Sequence, residues 1–451
     1  MKIIVGGANS ISRSIVGYLS RGNNDIAVID NDENALNSLA QEWDILPILG
    51  LVSHPDILKR AEADKADLLI AATDSDEVNM IACQAAYTLF DIPRRVARIN
   101  SKVYFKAAWG GLFNEKSLPI DLAISPEYEI AKAIMNVIKV PGTSAVYPLL
   151  NKKVQLLSFR ITRKCPLVQI PLECVEKETN VVIASINRGG KVILPDKTDM
   201  LHGGDEISIL TLTDKLDETL TSFGLEHKAN ERVVIVGGNL IARYLAERLE
   251  SDDNIISCKI IDEDAKTASE LARTLNQTAV FNGSIMSEAI LEEAGIEACD
   301  AAVAVGFEDK DNLVAAMVAK KNGVENTIAL VSGRSANTQI VNIGENILMD
   351  RGLITMSSLL KELRKVNMSA AYSLGAAVGE IWEIVIDNNS ELAGQVINDI
   401  KLPDESRICG LGRGGEVWFN PQDKKIEVGD KVIFLTMASA IRKAEKFFSG
   451  M

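Results

Sequence analysis

Val5-Gly6-Gly7-Ala8-Asn9-Ser10-Ile11, near the start of the chain, and Val236-Gly237-Gly238-Asn239-Leu240-Ile241, in its second half, carry one pattern twice. Each follows an apolar run, Ile3-Ile4-Val5 or Val233-Val234-Ile235-Val236. Each leads into apolar residues four apart: Ile11, Ile15 and Leu19, then Ile241, Leu245 and Leu249. That spacing predicts an amphipathic helix lying on a sheet. A further apolar run then ends in an acid, as Val28-Ile29-Asp30 and Ile260-Ile261-Asp262. Strand, glycine turn, helix, strand, acid is the order of a βαβ unit, and it predicts a parallel sheet covered on both faces.

The repetition extends outward. Gly237 follows Gly7 by 230 residues, and Asn312 follows Asn79 by 233, a drift that small loop insertions produce. Leu69-Ile70-Ala71-Ala72-Thr73 matches Ala302-Val303-Ala304-Val305-Gly306. Between and after these units lie short apolar runs broken by Gly, Pro and Asp. These runs are duplicated too: Arg188-Gly189-Gly190 matches Arg413-Gly414-Gly415, and Gly204-Asp205 matches Gly429-Asp430, all at an offset of 225. Arg-Gly-Gly between β-branched runs is a hairpin signal. The fold class is therefore α/β: two Rossmann-like parallel-sheet units, each followed by a small α+β module. The expected bounds are 1–130 and 231–355 for the Rossmann-like units, and 140–225 and 368–451 for the modules.

In a full G-x-G-x-x-G turn, the first glycine makes the tight turn and the second lets backbone approach a pyrophosphate. The third lets helix and strand pack closely, and the acid after the second strand takes the ribose hydroxyls. Here Asn9 and Asn239 stand at the second glycine position, with Ser12 and Ala242 at the third. Asn tolerates left-handed backbone and Ser and Ala are small, so the turns survive. The added side chains predict weakened, altered or lost dinucleotide affinity. Asp30, 23 residues after Gly7, fits the ribose role as well as a strand-end cap; Asp262, 25 residues after Gly237, fits it less closely. Both acids favour NAD over NADP, whose 2′-phosphate they would repel. Thr73 and Asp74 end the fourth expected strand and line the crevice, where Asp74 or Ser75 also serves as a helix cap. Arg98 either points its charge into that crevice or makes a salt bridge at the sheet edge.

Composition narrows the function. The net charge is −14 and no Lys/Arg block occurs, which argues against nucleic acid and anionic lipid as partners. The six cysteines form no C-x-x-C pair, so buried reduced thiols are expected. The three histidines, His54, His202 and His227, lie at no metal-ligand spacing. Met1-Lys2-Ile3-Ile4 lacks the charged leader of a signal peptide, and no run of about 18 uncharged apolar residues predicts a membrane span.

Several stretches carry a family resemblance: Gly50 to Leu58 with Pro55-Asp56, Thr73 to Gln84 with Asp76-Glu77-Val78-Asn79-Met80, Arg95 to Ile99, and Ile124-Ser125-Pro126-Glu127. Leu402-Pro403, Arg413-Gly414-Gly415 and Gly429-Asp430 add to them. Together they resemble the TrkA family of bacterial potassium-uptake regulators, chains of two tandem RCK (KTN) units, over essentially the whole length. The resemblance implies a cytoplasmic, nucleotide-sensing regulatory subunit and no catalysis. Such a subunit sits at the inner face of the plasma membrane through a Trk-type potassium-conducting subunit. It also implies a homo-oligomeric ring, a tetramer or dimer, with NAD(H) as ligand and ATP or ADP as alternates. By position, Gly7, Ala8, Asn9, Ser10, Ile11, Asp30, Thr73, Asp74 and Arg98 would form a first nucleotide site. Gly237, Gly238, Asn239, Leu240, Ile241 and Asp262 would form a second.

Two other readings remain. An NAD-dependent oxidoreductase would need an acid/base and an anion clamp beside the nicotinamide, and no histidine here has a carboxylate-plus-arginine setting. A ring scaffold that has lost nucleotide binding would keep the fold alone. The helices from Asn79 to Phe90 and from Leu313 to Lys320 are expected either to face a neighbouring chain or to pack on their own sheets.

Overall fold

The computed structural model describes residues 1–451 except 21, 23, 106, 110, 226–228, 333–346, 365, 375–377, 389, 450 and 451. His227 therefore lies outside the described residues. The chain divides into two compact bodies, Met1–Glu129 with Arg351–Glu362, and Ile130–Asp350 with Leu363–Met451.

The first body is built on six strands: β1 (Lys2–Gly6), β2 (Asp25–Asp30), β3 (Leu46–Leu49), β4 (Leu68–Ala71), β5 (Arg95–Arg98) and β6 (Leu122–Ile124). They pair in parallel in the order β3-β2-β1-β4-β5-β6. The order reverses between β1 and β4, which opens a crevice at their carboxyl ends. The helix Ser10–Leu19 follows β1 and buries Ile15, Val16 and Leu19, the face that the fourfold spacing selects. Ile4, Ile29, Leu69, Ala71 and Ala97 fill the core beneath the helices.

The second body holds three sheets. One is an antiparallel sheet of β7 (Thr143–Leu149), β8 (Val154–Arg160), β9 (Val182–Arg188), β10 (Lys191–Ile193) and β11 (Glu206–Leu212), in the order β10-β9-β11-β8-β7. The next repeats the Rossmann arrangement. Its strands are β12 (Arg232–Val236), β13 (Ser257–Asp262), β14 (Ala279–Asn282), β15 (Ala301–Ala304), β16 (Asn326–Val331) and β17 (Ile347–Asp350), in the order β14-β13-β12-β15-β16-β17. The last, β18 (Met368–Leu374), β19 (Gly379–Val385), β20 (Ser406–Arg413), β21 (Glu416–Phe419) and β22 (Lys431–Met437), is again antiparallel, in the order β18-β19-β22-β20-β21.

Both Arg-Gly-Gly segments are hairpin turns. Arg188 pairs with Lys191 and Arg413 with Glu416. The glycines between them have φ of 58° and 84° in one case and 56° and 97° in the other. Two successive left-handed residues are what a two-residue turn matching strand twist requires, and only glycine adopts them without strain. The two antiparallel sheets share one core in which Leu156, Val182 and Leu210 meet Ile381, Cys409 and Ile433. Tyr147 and Tyr372 stack there with centroids 4.4 Å apart.

The cysteine expectation needs one correction. Five of the six thiols are buried and all six are free, but Cys174 is exposed. It lies on the helix Leu172–Thr179, whose inward positions are taken by Leu172 and Val175. A residue two positions after Leu172 falls on the opposite face of such a helix. No described helix is long and apolar enough to cross a membrane.

Candidate functional site

In the first crevice the glycine turn is fixed by its surroundings. Gly7 has φ 103°, and a Cβ there would stand 2.9 Å from the Ala72 carbonyl oxygen. Gly237 repeats this with φ 101° and the Gly306 nitrogen at 3.0 Å. Left-handed backbone and the close approach of a neighbouring strand both demand glycine.

Asn9 acts differently from the sequence expectation. Its backbone is extended, with φ −76°, so it needs no tolerance of left-handed geometry. It caps the following helix: its Oδ1 accepts from the N–H groups of Ile11 at 3.1 Å and Ser12 at 3.0 Å. Its Nδ2 donates to the Ala72 carbonyl at 2.8 Å and to Asp74 Oδ1 at 3.3 Å. Asn239 has the same extended backbone, accepts from Ile241 and Ala242, and donates to the Val305 carbonyl. The side chain does not merely crowd a phosphate. It takes two of the helix N-terminal donors that an anion would use, which leaves a diphosphate the earlier amides of the turn, those of Asn9 and Ser10.

Asp30 closes the turn from the other side. Its Oδ2 accepts from Ala8 N at 2.6 Å and its Oδ1 from Asp32 N at 2.8 Å. Asp262 does the same with Gly238 N at 2.6 Å and Asp264 N at 3.0 Å. Both acids thus stand at the carboxyl end of their strands, against the glycine turn. Each oxygen keeps lone-pair capacity for a hydroxyl donor.

The far wall of the first crevice is charged. Arg98, almost fully buried, donates through Nη1 to Asp74 Oδ1 at 2.6 Å and to the Thr73 carbonyl at 3.3 Å, and through Nη2 to Glu127 Oε1 at 2.6 Å. Of the two roles expected for Arg98 the structure shows the salt bridge, and it forms on an inner strand, β5, not at the sheet edge. Ser75 is the cap of the helix Asp76–Phe90, accepting from Val78 N, and Asp74 is free for Arg98. Hydrogen bonds thus join Ile11, Asn9, Asp74, Arg98 and Thr73 in one group and Ala8 with Asp30 in another, while Gly7 and Ser10 belong to the same turn through the chain alone.

Sequence reasoning left three contributors unassigned. Glu127 is the second arm on Arg98. Asn79, without exposed surface, donates to the carbonyls of Thr73 and Arg98 and accepts from Thr73 N and Oγ1, tying the ends of β4 and β5 together. Asp76 accepts from the N–H groups of Asn100 and Ser101. The available signal was the repeat: Asn312 donates likewise to the carbonyls of Gly306 and Leu330, and Asp309 accepts from Ser332 N.

The same pairing exposes how the crevices differ. Leu330 stands where Arg98 does, Gly306 replaces Thr73 and Phe307, 83% exposed, replaces Asp74. Gly237 to Ile241 and Asp262 assemble as their first-site counterparts do, and among the described residues Leu330 puts an apolar side chain where the first crevice has Arg98. Of the two expected facing helices, Asp76–Phe90 buries Ala82, Cys83 and Ala86 but exposes Ile81 and Leu89. Asp309–Lys321 buries Ala315, Ala316 and Ala319 and exposes Val314 and Met317. Each helix packs on its sheet and still carries apolar side chains outward. Burial pushes the Cys83 thiol up to about 12, so it stays protonated.

The family profile described as TrkA-N domain matches residues 3–126 and 233–349, the two parallel-sheet units, and that described as TrkA-C domain matches 156–224 and 381–449. The chain belongs to the TrkA family. This TrkA-family chain is 33% identical over 456 residues to the Trk system potassium uptake protein TrkA of Halomonas elongata, covering 99% of this chain and 98% of the relative. It is 29% identical over 451 residues to the protein of that name from Azorhizobium caulinodans, covering 99% and 98%. Its fold is similar to that of the GsuK RCK domain, with a TM-score of 0.63 at 15% identity, covering 100% of this chain and 95% of that one. The GsuK channel bound to NAD gives 0.62 at 15%, covering 100% and 79%.

Proposed function

We propose that this chain is the nucleotide-sensing regulatory subunit of a Trk-type potassium uptake system. In this reading it is cytoplasmic, lies beneath a potassium-conducting membrane subunit and gates it as part of a homo-oligomeric ring. The observation that carries the reading is the duplicated crevice, with Asp30 and Asp262 each hydrogen-bonded to a glycine turn at the switch point of a parallel sheet. NAD(H) is the expected ligand, its ribose hydroxyls donating to Asp30. ATP and ADP are alternates whose phosphates would be drawn to the first crevice through Arg98. The first crevice is the principal site, because the second has Leu330 and Phe307 in place of Arg98 and Asp74. The helices Asp76–Phe90 and Asp309–Lys321 offer outward apolar residues to neighbouring chains of the ring.

The mechanism is a population shift. A ligand moves the ring only by its differential affinity for two shapes, typically about 1–3 kcal/mol per site. Nothing in this requires a bond to break, and the crevice residues are read as binding groups and not as acid/base catalysts. The test is thermal unfolding of the full chain with NAD, NADH, ATP and ADP, beside Asp30→Asn and Asp262→Asn. A midpoint shift lost in Asp30→Asn supports the reading; no shift with any of the four favours a ring scaffold. Restored potassium uptake in cells lacking their own regulator would test the partner.

A further inference from the structure

Asp74 makes two contacts that a nucleotide would have to compete with. Its Oδ1 accepts from Arg98 Nη1 at 2.6 Å and from Asn9 Nδ2 at 3.3 Å. Asn9 is the cap of the helix Ser10–Leu19, directly after the glycine turn. A carboxylate oxygen of the chain itself therefore stands between that helix start and the Arg98 cation. In this fold class a ligand diphosphate lies at the same helix start.

The second carboxylate on Arg98 is held differently. The Glu127 side chain is 13% exposed, whereas that of Asp74 is 81% exposed. Glu127 is carried by the helix Pro126–Lys139, and Asp74 by the loop between β4 and the helix Asp76–Phe90. An ion pair with so exposed a member is weak, so Asp74 can leave Arg98 while Glu127 stays. The charges of the crevice follow from this. With Asp74 in place, the one cation is outnumbered by Asp74 and Glu127, and Asp30 adds a further acid. Net charge does not draw a polyanion here. The turn amides are left to hold the diphosphate, and Asp74 penalises each further negative charge.

The repeat loses both members of the pair together. In the second crevice Phe307 takes the place of Asp74 and Leu330 that of Arg98, and Asn239 Nδ2 donates to the Val305 carbonyl.

We propose that Asp74 sets the ligand selectivity of the first crevice: its carboxylate competes with ligand phosphate for the place between Asn9 and Arg98, and so favours a dinucleotide over the more highly charged nucleoside triphosphate. This role presupposes the reading of the crevice as a nucleotide site. A phosphate oxygen reaches Arg98 Nη1 only as Asp74 leaves it, and the displaced carboxylate stays in the same loop, close enough to repel the remaining charge. The penalty grows with ligand charge, which rises from NAD to ADP to ATP.

The test is calorimetric titration of the full chain with NAD, ADP and ATP, without divalent cations, at low and high salt. The variants are Asp74→Asn, Asp74→Ser, Asp74→Glu and Asp30→Asn. ATP should bind on the order of tenfold more tightly in Asp74→Asn and Asp74→Ser, ADP should gain less, and NAD only a few-fold. The gain for ATP should shrink as salt rises. Asp74→Glu keeps the charge and should keep the preference of the unmodified chain. Asp30→Asn reports on the nucleotide reading itself and should weaken all three ligands. Equal gains for NAD and ATP, or a gain in Asp74→Glu as large as in Asp74→Asn, would overturn charge selection by Asp74. Affinities unchanged in the Asp74 variants while Asp30→Asn still weakens NAD would overturn the proposal and leave the nucleotide site standing. No binding of any ligand to any of these chains would remove the nucleotide site and the proposal with it.

Discussion

Asn79 donates a hydrogen bond to the main-chain carbonyl of Arg98 at 2.9 Å, so the residue that ties two strand ends together also sets where the crevice cation stands. The same side chain saturates Thr73 on both sides of its amide. Asn79→Ala would leave the Thr73 N–H and the Arg98 carbonyl unpaired in the interior. At about 1–3 kcal/mol for each such group, a loss of about 2–6 kcal/mol is expected. Urea unfolding monitored on the first body should show it; a loss below 1 kcal/mol would mean that solvent reaches these groups. Asn312→Ala should cost a comparable amount in the second body, where the Gly306 and Leu330 carbonyls lose their donor.

Asn9 offers a second measurement, one that separates stability from binding. Asn9→Gly removes the cap on the helix Ser10–Leu19 and releases the N–H groups of Ile11 and Ser12. Replacing an asparagine cap by glycine costs only a few tenths of a kcal/mol. The two freed donors become available to a diphosphate, so NAD should bind more tightly in Asn9→Gly, by several-fold in calorimetric titration. Unchanged or weaker binding would show that a dinucleotide does not approach this helix end.

The architecture was legible in the sequence because its signals were periodic and duplicated. Apolar spacing, the acid after each second strand, and the Arg-Gly-Gly hairpins all rest on local geometry that a single chain displays. The chemistry of the crevice was less so. Asn9 read as an intruder on a phosphate because sequence shows which residue stands there, but not that its amide spans to Ala72. Glu127 and Asp76 were invisible as partners, since their contacts cross from one βα loop to another. Cys174 was misplaced because one helix turn decides inside from outside, and the start of the helix Leu172–Thr179 is not marked by a capping side chain.

The second crevice is more tightly closed than the first at one position. A Cβ on Gly238 would stand 2.7 Å from Thr267 Cγ2 and 2.9 Å from Asp262 Cγ, whereas Ala8 occupies the matching place in the first unit. Gly238→Ala should therefore destabilise by about 1–3 kcal/mol, the usual cost of overpacking. Thr267→Ala should relieve much of it, as the first unit carries Ala35 at that place. A double-mutant cycle should show a coupling of at least about 0.5 kcal/mol; additive effects would place the clash at Asp262 instead.

Asp205 gives a prediction in pH. The buried carboxylate meets Arg188 in two parallel hydrogen bonds, Nε to Oδ1 at 2.9 Å and Nη2 to Oδ2 at 2.8 Å, and also accepts from His202 N at 2.8 Å. Burial by itself raises its pKa, but the hydrogen bonds from Arg188 and the His202 N–H outweigh burial and hold the group below its ordinary value. The folded chain therefore binds this proton less readily than the unfolded one. The stability that results is fully present above the unfolded carboxylate pKa of about 3.9 and is lost as pH falls through that value toward the folded one. Asp205→Asn should be less stable than the unmodified chain at pH 7, by about 1–3 kcal/mol, because its single amide oxygen can accept at only one of the two positions, so one bond from Arg188 is lost and the other loses its charge assistance. The difference should hold down to about pH 5 and then narrow as the acid limb is entered, since protonation does to Asp205 what the substitution has already done. Chemical unfolding at a series of pH values measures it. A difference that stays constant from pH 7 to pH 3 would remove Asp205 from the acid-sensitive groups of this fold.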